Sequence, residues 1–121
     1  MQLGAEVYRL ANLLPSHERY EMARAMRTAA FSIAANIAEG KGRVRRADFA
    51  RFLAIARGSA NELNSCLDFA RMLGYLPDSE LQVAEGLLDE CGRMLTSMIR
   101  KLAPLIEPHA VRTSYEPRTK S

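Results

Sequence analysis

Lys41-Gly42-Arg43-Val44-Arg45-Arg46 sets four positive charges within six residues. A glycine-bearing segment so charged cannot be buried, so it reads as an exposed loop between helices. Lysine and arginine suit phosphate contact because each carries full charge and several hydrogen-bond donors. With Arg51 shortly beyond, Lys41, Arg43, Arg45 and Arg46 are the candidate nucleic-acid-binding residues. A turn that merely keeps its charges in water has the same composition, and that reading stays open. Gly40-Lys41-Gly42 is no P-loop, since it lacks the Gly-x-x-x-x-Gly-Lys-Ser/Thr frame and the strand before it. The connection and the helices around it are also too long for a helix-turn-helix.

Ser32, Asn36 and Glu39 recur at spacings of four and three, which puts them on one face of a helix. Hydrogen bonds from Ser32 and Asn36 across a helix bundle would fix its register, and contact with a partner is the alternative. Glu39 falls in a last helical turn, where a carboxylate meets the negative end of the helix dipole. A cation should therefore lie close to it, supplied by Arg43, by Arg57 or by an arginine of a neighbouring subunit. Arg57, beside Gly58-Ser59, is expected to pair with Glu39 or Glu62.

No catalytic constellation stands out. His17 sits in an expected turn and His109 in a proline-bearing tail, and neither is spaced from an acid as a helical metal pair would be. The serines lack a histidine partner. Cys66 and Cys91, the two cysteines, have no zinc-site spacing and read as free buried thiols. Five of the methionines, Met22, Met26, Met72, Met94 and Met98, mostly fall on apolar faces as core filling. Neither a metal nor a cofactor is expected, and the chain reads as a non-enzyme.

The elements that must position these residues are helices. Leu81, Ala84, Leu88, Cys91, Leu95, Met98 and Leu102 recur with alternating gaps of three and four, a heptad seam. Asp78 or Ser79 is expected to cap its start, and Pro104 to end it. A second long helix reads from about Ala47 to Leu73, with Phe49, Phe52, Ala56, Ala60, Leu63, Leu67, Ala70 and Leu73 on one face and Gly74 as its stop. The helix before it reads from Glu18 to Glu39, with Ser16 as its N-cap, Met22, Met26, Ala30, Ile33 and Ile37 as its stripe and Gly40 as its C-cap. Leu3, Val7, Leu10 and Leu14 give a short first helix ended by Pro15. It spans only about 18 Å, against roughly 33 to 40 Å for the others, so part of the bundle is left uncovered. Connections of about seven residues (Gly40 to Arg46) and five (Gly74 to Asp78) favour antiparallel neighbours. The expectation is an all-α, antiparallel up-down-up-down four-helix bundle over residues 1–103 and a proline-containing tail with little fixed structure over 104–121.

At 121 residues the chain makes one domain, 48% hydrophobic and 26% charged, with no Trp. No apolar run is long enough to cross a bilayer, and the first residues lack the basic start and apolar stretch of a signal peptide. A cytoplasmic protein without membrane contact is expected. The net charge of +3 is mild, but its placement is not. Residues 19–57 carry nine basic groups against three acids, a net +6, and residues 62–90 carry seven acids against Arg71 alone, a net −6. Such asymmetry attracts elements or subunits to one another, or presents a basic surface to an acidic partner.

Ser32-Ile33-Ala34-Ala35-Asn36-Ile37-Ala38-Glu39-Gly40, then Gly42-Arg43, Phe49 to Leu53, Ile55-Ala56-Arg57-Gly58-Ser59, Glu62-Leu63 and Leu73-Gly74-Tyr75-Leu76, form a pattern that resembles the bacterial 23S rRNA intervening-sequence proteins. The match runs from about Val7 to Leu102 and is most specific at Asn36 to Gly40. The resemblance implies a four-helix bundle assembling as a ring-like homopentamer, related in fold to the accessory protein of diversity-generating retroelements, which is thought to engage a reverse transcriptase and nucleic acid. A polymerase-like protein partner is thereby implied beside RNA or DNA. The same resemblance marks Ser32, Asn36, Glu39, Gly40, Arg57, Ser59 and Glu62 as its motif and polar network. Departures are specific. Ala25 and Thr28 stand where the family usually carries a Gln and the second of two arginines, and Arg45 or Arg46 where it often has a capping Ser. Several helical turns usually precede the pair matching Val7-Tyr8, so the start reads as truncated or misassigned. The added loop charge tilts the expectation towards an anionic partner.

Two functions compete on these grounds: an oligomeric nucleic-acid binder or nucleoprotein adaptor acting through the basic loop, and a protein-binding scaffold without nucleic-acid affinity. A nuclease has neither clustered carboxylates nor a usable histidine to support it.

Overall fold

Gaps of three and four between apolar residues give each segment one apolar stripe, and the stripes close on one another as a helix bundle. The computed structural model describes residues 2–106. Helix α1 runs Gln2–Leu13, α2 Met22–Lys41, α3 Arg46–Met72 and α4 Asp78–Leu102, with 3-10 turns at Ser16–Glu18 and Ala103–Leu105. α1 packs on α2 and α4, α2 on α3, and α3 on α4. This is the neighbour order of an up-down-up-down bundle, and the described chain is all-α.

Several helix ends differ from the sequence expectation. Ser16 does not cap α2: it opens a 3-10 turn, and α2 starts at Met22 without a side-chain cap. Glu18 is held elsewhere, accepting a hydrogen bond from the Tyr75 hydroxyl at 3.1 Å. Gly40 does not end α2 but lies buried within it. A Cβ there would sit 2.9 Å from Phe49 Cδ1 and 3.1 Å from Phe52 Cβ, so Gly40 serves close helix approach and not a reversal of the backbone. The helix ends at Lys41, and the loop shrinks to residues 42–45. Neither Asp78 nor Ser79 caps α4. Pro77 precedes the helix, and Asp78 accepts from Arg71 Nε at 2.7 Å. Gly74 does stop α3. At φ +76° it lets its own N–H reach Arg71 O at 3.0 Å and that of Tyr75 reach Ala70 O at 2.9 Å, satisfying carbonyls the helix end leaves open. The expectation for the tail falls, from residue 107 on and with His109, outside the described residues.

The short α1 divides the core. Where it lies, Leu3, Val7, Leu10 and Leu14 close over Met26, Ile33, Leu63, Leu67 and Leu81, all buried. Beyond its reach the fully buried apolar side chains of the core are Leu53, Ala56 and Leu95. Around them Ile37, Phe49, Cys91, Met98, Ile99 and Leu102 are partly open. α1 has 12 residues and α3 has 27, about 18 Å against about 40 Å, so three helices form that end without a fourth to cover it.

Candidate functional site

The α2–α3 turn occupies the end of the bundle that α1 does not reach. Residues 41–46 are all exposed, Val44 almost completely. Lys41 is the last residue of α2 and Arg46 the first of α3, so the expected loop cluster is partly helical. Arg43 is the anchored member. Its Nη2 donates to Glu39 Oε2 at 2.6 Å, one helical turn back. Its guanidinium also stands 4.8 Å from the centre of the Phe52 ring, and Arg51 stands 4.7 Å from the same ring. Glu39 therefore finds its cation in Arg43, one of the three sources expected. Lys41, Arg45, Arg46 and Arg51 have no acidic partner among the described residues.

The polar group in mid-helix sits on the α2–α3 contact. Ser59 is buried, and its hydroxyl meets that of Ser32 at 2.7 Å. The half-buried Asn36 does not reach across the bundle as expected. Its amide donates to the Ser32 carbonyl at 2.8 Å and the Ser32 hydroxyl at 3.1 Å, both on its own helix. The link between helices is therefore the serine pair.

Arg57 pairs with neither Glu39 nor Glu62. Glu39 is taken by Arg43, and Glu62 lies five residues away, well round the helix at about 3.6 residues per turn. The two line different grooves: Glu62 lies between α2 and α3 with Tyr20, Arg24, Thr28 and Cys66, and Arg57 between α3 and α4. The α3–α4 groove is open, about 720 Å³, floored by Ala60, Leu88 and Gly92 and flanked by Arg57, Arg100 and Lys101.

Antiparallel packing thus carries the last turns of α4 to the α2–α3 turn. Residues 39–57 and 89–102 hold nine cations and four carboxylates, a net +5, whereas residues 2–38 and 58–88 hold five and eight, a net −3. Arg93, Arg100 and Lys101 are the members that reading along the chain missed. The signal was present: reflecting the sequence about the turn at Gly74 and Tyr75 sets Arg100 opposite Phe49, two residues before Arg51. At the other end most of the acids are paired. Arg71 binds Asp78, Asp68 (3.0 Å) and Glu85, and Arg9 binds Glu6 (2.6 Å) and Glu80 (3.0 Å). The hydrogen bond from Arg9 holds the Glu6 carboxyl below the usual carboxylate range. Cys66 and Cys91 are free and half-buried, and burial pushes both thiols up, with the charge of Glu62 adding to it at Cys66. Among the described residues no three His, Cys, Asp or Glu side chains converge as metal ligands, and no helix is long and apolar enough to cross a membrane.

None of the curated proteins matches the chain. Among solved structures it is similar to a protein of unknown function from the S23 ribosomal protein family of Bacteroides thetaiotaomicron VPI-5482, with 25% identity, 82% of this chain and 93% of that chain covered, and a TM-score of 0.76. The family model described as 23S rRNA-intervening sequence protein matches residues 1–97. With most of the helical bundle inside that match, the chain belongs to the 23S rRNA-intervening sequence protein family.

Proposed function

We propose that the protein is a non-enzymatic oligomer that binds the phosphate backbone of RNA or DNA through its basic end. One observation carries this reading: three exposed cations at the α2–α3 turn, Lys41, Arg45 and Arg46, and the half-buried Arg51 beyond them on α3 stand without carboxylate partners among the described residues, on the half that holds a net +5. Proteins of mixed surface charge ordinarily intersperse the two signs, and a one-signed end draws a polyanion over distances comparable to the Debye length, about 8 Å at physiological salt. The half-open cluster around Leu53 and Leu95 supports self-association, because apolar side chains left partly open beside a polar rim mark interfaces. A pentameric ring, which the family resemblance implies, would repeat the basic turn around one rim.

Titration of labelled RNA and DNA against the purified protein at several salt concentrations tests the reading. Phosphate contact gives an affinity that falls linearly on logarithmic axes with salt, by about 0.7 to 0.9 per contact, with little dependence on sequence. Absence of binding at about 50 mM salt would give precedence to the protein-scaffold alternative, in which the basic end meets an acidic protein surface.

A further inference from the structure

The α3–α4 groove is not part of the turn, yet its cationic end lies at the same end of the bundle. On α3, Arg57, Asn61 and Asn64 recur at spacings of four and three and form one wall. On α4, Arg93, Thr96, Ser97, Arg100 and Lys101 form the other. Arg57, Arg100 and Lys101 have no acidic partner among the described residues, whereas Arg93 is bound to Asp89. The small residues Ala60 and Gly92 keep the floor low, and a Cβ on Gly92 would meet nothing within 4 Å.

Charge along this groove is graded. Cations hold the end near the α2–α3 turn, amides and hydroxyls the middle, and the carboxylates of Glu85 and Asp89 the far end. Arg93 and Arg100 are seven residues apart on one helix face, about 10 Å along the axis. A single phosphate cannot bridge that distance, whereas consecutive phosphates of one strand can follow it. No aromatic side chain lines the groove, so bases cannot stack inside it, and the groups present are those that hold phosphate and sugar oxygens.

We infer that the α3–α4 groove is a second anion subsite, which takes the sugar–phosphate backbone of a single nucleic-acid strand leading away from the basic turn. The inference rests on the phosphate-binding reading above and extends it from a point to a track. Arg57, Arg100 and Lys101 contact phosphates, and Asn61, Asn64, Thr96 and Ser97 offer hydrogen bonds to sugar and phosphate oxygens.

The test uses the full chain and a labelled single strand of about 20 nucleotides, as RNA and as DNA, with poly-glutamate as a control polyanion. Four proteins are compared across about 50 to 200 mM salt: the parent, the turn variant R45Q/R46Q, the groove variant R57Q/R100Q/K101Q, and R100Q/K101Q, whose two changes are at exposed positions and leave the core intact. The groove variant is expected to flatten the logarithmic salt slope by about 2, at about 0.7 per single-strand phosphate. R100Q/K101Q should give about two thirds of that effect with an unchanged melting curve. Turn and groove losses should add in the logarithm of affinity. If the turn variant weakens binding while both groove variants match the parent, the groove is overturned and the basic-turn reading stands. If the parent binds neither RNA nor DNA, both fall together. Equal binding of poly-glutamate, lost by the same groove changes, would make the ligand an acidic protein segment and overturn the assignment to nucleic acid.

Discussion

The hydroxyls of Ser32 and Ser59 meet at 2.7 Å where α2 crosses α3, and Ser59 is the buried polar residue of the core. Ser32 bonds across the bundle as expected, and Ser59 takes the part that was expected of Asn36. They let the helices approach closely and spend their polar groups on each other. Ser59→Ala alone leaves Ser32 half-buried with only the Asn36 amide, and it should cost about 1 kcal/mol. Ser32→Ala strands the more deeply buried hydroxyl and should cost about 1 to 3 kcal/mol. The double variant should cost less than the sum, by about 0.5 kcal/mol or more, in urea unfolding. Strict additivity would mean that the hydroxyls do not bond.

Asn36 bonds only to its own helix, so its removal leaves the Ser32–Ser59 link intact. Asn36→Ala should cost no more than about 1 kcal/mol in the same measurement. A loss of 3 kcal/mol or more would show an amide buried in a contact between chains, where its removal strands a partner.

Gly40 and Gly58 make opposite predictions. A Cβ at Gly40 meets Phe49 Cδ1 at 2.9 Å and Phe52 Cβ at 3.1 Å, while one at Gly58 meets nothing within 4 Å. Alanine improves helix propensity by about 1 kcal/mol at either site. At Gly40 the overpacking of about 1 to 3 kcal/mol outweighs it, so Gly40→Ala should lower stability. Gly58→Ala should raise the stability of a lone chain. If Gly58→Ala instead shifts the sedimentation profile towards smaller species, a second copy packs against this bare stretch of α3.

The Tyr75 hydroxyl donates to Glu18 and lies 3.2 Å from His17 Nε2. Partial burial, then the hydrogen bond to Glu18 and its charge, push the phenol above its ordinary range. A group whose folded pKa is raised binds its proton more tightly when folded, so its contribution is complete below pH of about 10 and is lost as pH rises through the raised value. Thermal midpoints followed from pH 8 to 11 should fall at the alkaline end. Tyr75→Phe should remove that part of the fall. An unchanged alkaline profile in Tyr75→Phe would assign the loss to other groups.

Much of this fold was legible because apolar spacing is a local signal. Leu81 to Leu102 and Leu53 to Ala70 announce helices whatever surrounds them. The helix ends were less so, because a cap depends on what else competes for a side chain. Asp78, an expected cap, is held by Arg71, seven residues away in the chain, and the chain at Glu18, the expected start of α2, is tied to Tyr75, 57 residues away. Gly40 illustrates the same limit, since glycine before a turn resembles a helix stop unless the rings of Phe49 and Phe52 are known to lie against it. Of the candidate site, the cluster at 41–46 was visible as a run of charge. The contribution of Arg93, Arg100 and Lys101 was no run of charge, and it shows only when the sequence is folded back about the α3–α4 turn, which brings them beside Arg57.

Within the basic turn the four cations should separate into one anchor and three binders. Arg43 closes an i, i+4 pair with Glu39 and stacks over Phe52. An exposed helical pair contributes about 0.3 to 0.5 kcal/mol, and an exposed cation–π contact about 0.5 to 1 kcal/mol. Arg43→Gln should therefore lower stability by about 1 kcal/mol and loosen the last turn of α2, where Glu39 would face the helix dipole without its cation. Lys41, Arg45 and Arg46 make no such contacts among the described residues, so their replacement by Gln leaves the melting curve in place. Their charge is then available for a phosphate backbone, and each lost contact should reduce the logarithmic salt slope by about 0.7 to 0.9. Arg43→Gln should change the slope less than Arg45→Gln or Arg46→Gln, because Glu39 already offsets its charge. Melting curves and salt titrations on the four single variants separate the two roles. Equal slopes for all four would show that Glu39 releases Arg43 on binding, and an unaltered melting curve for Arg43→Gln would remove its role as an anchor.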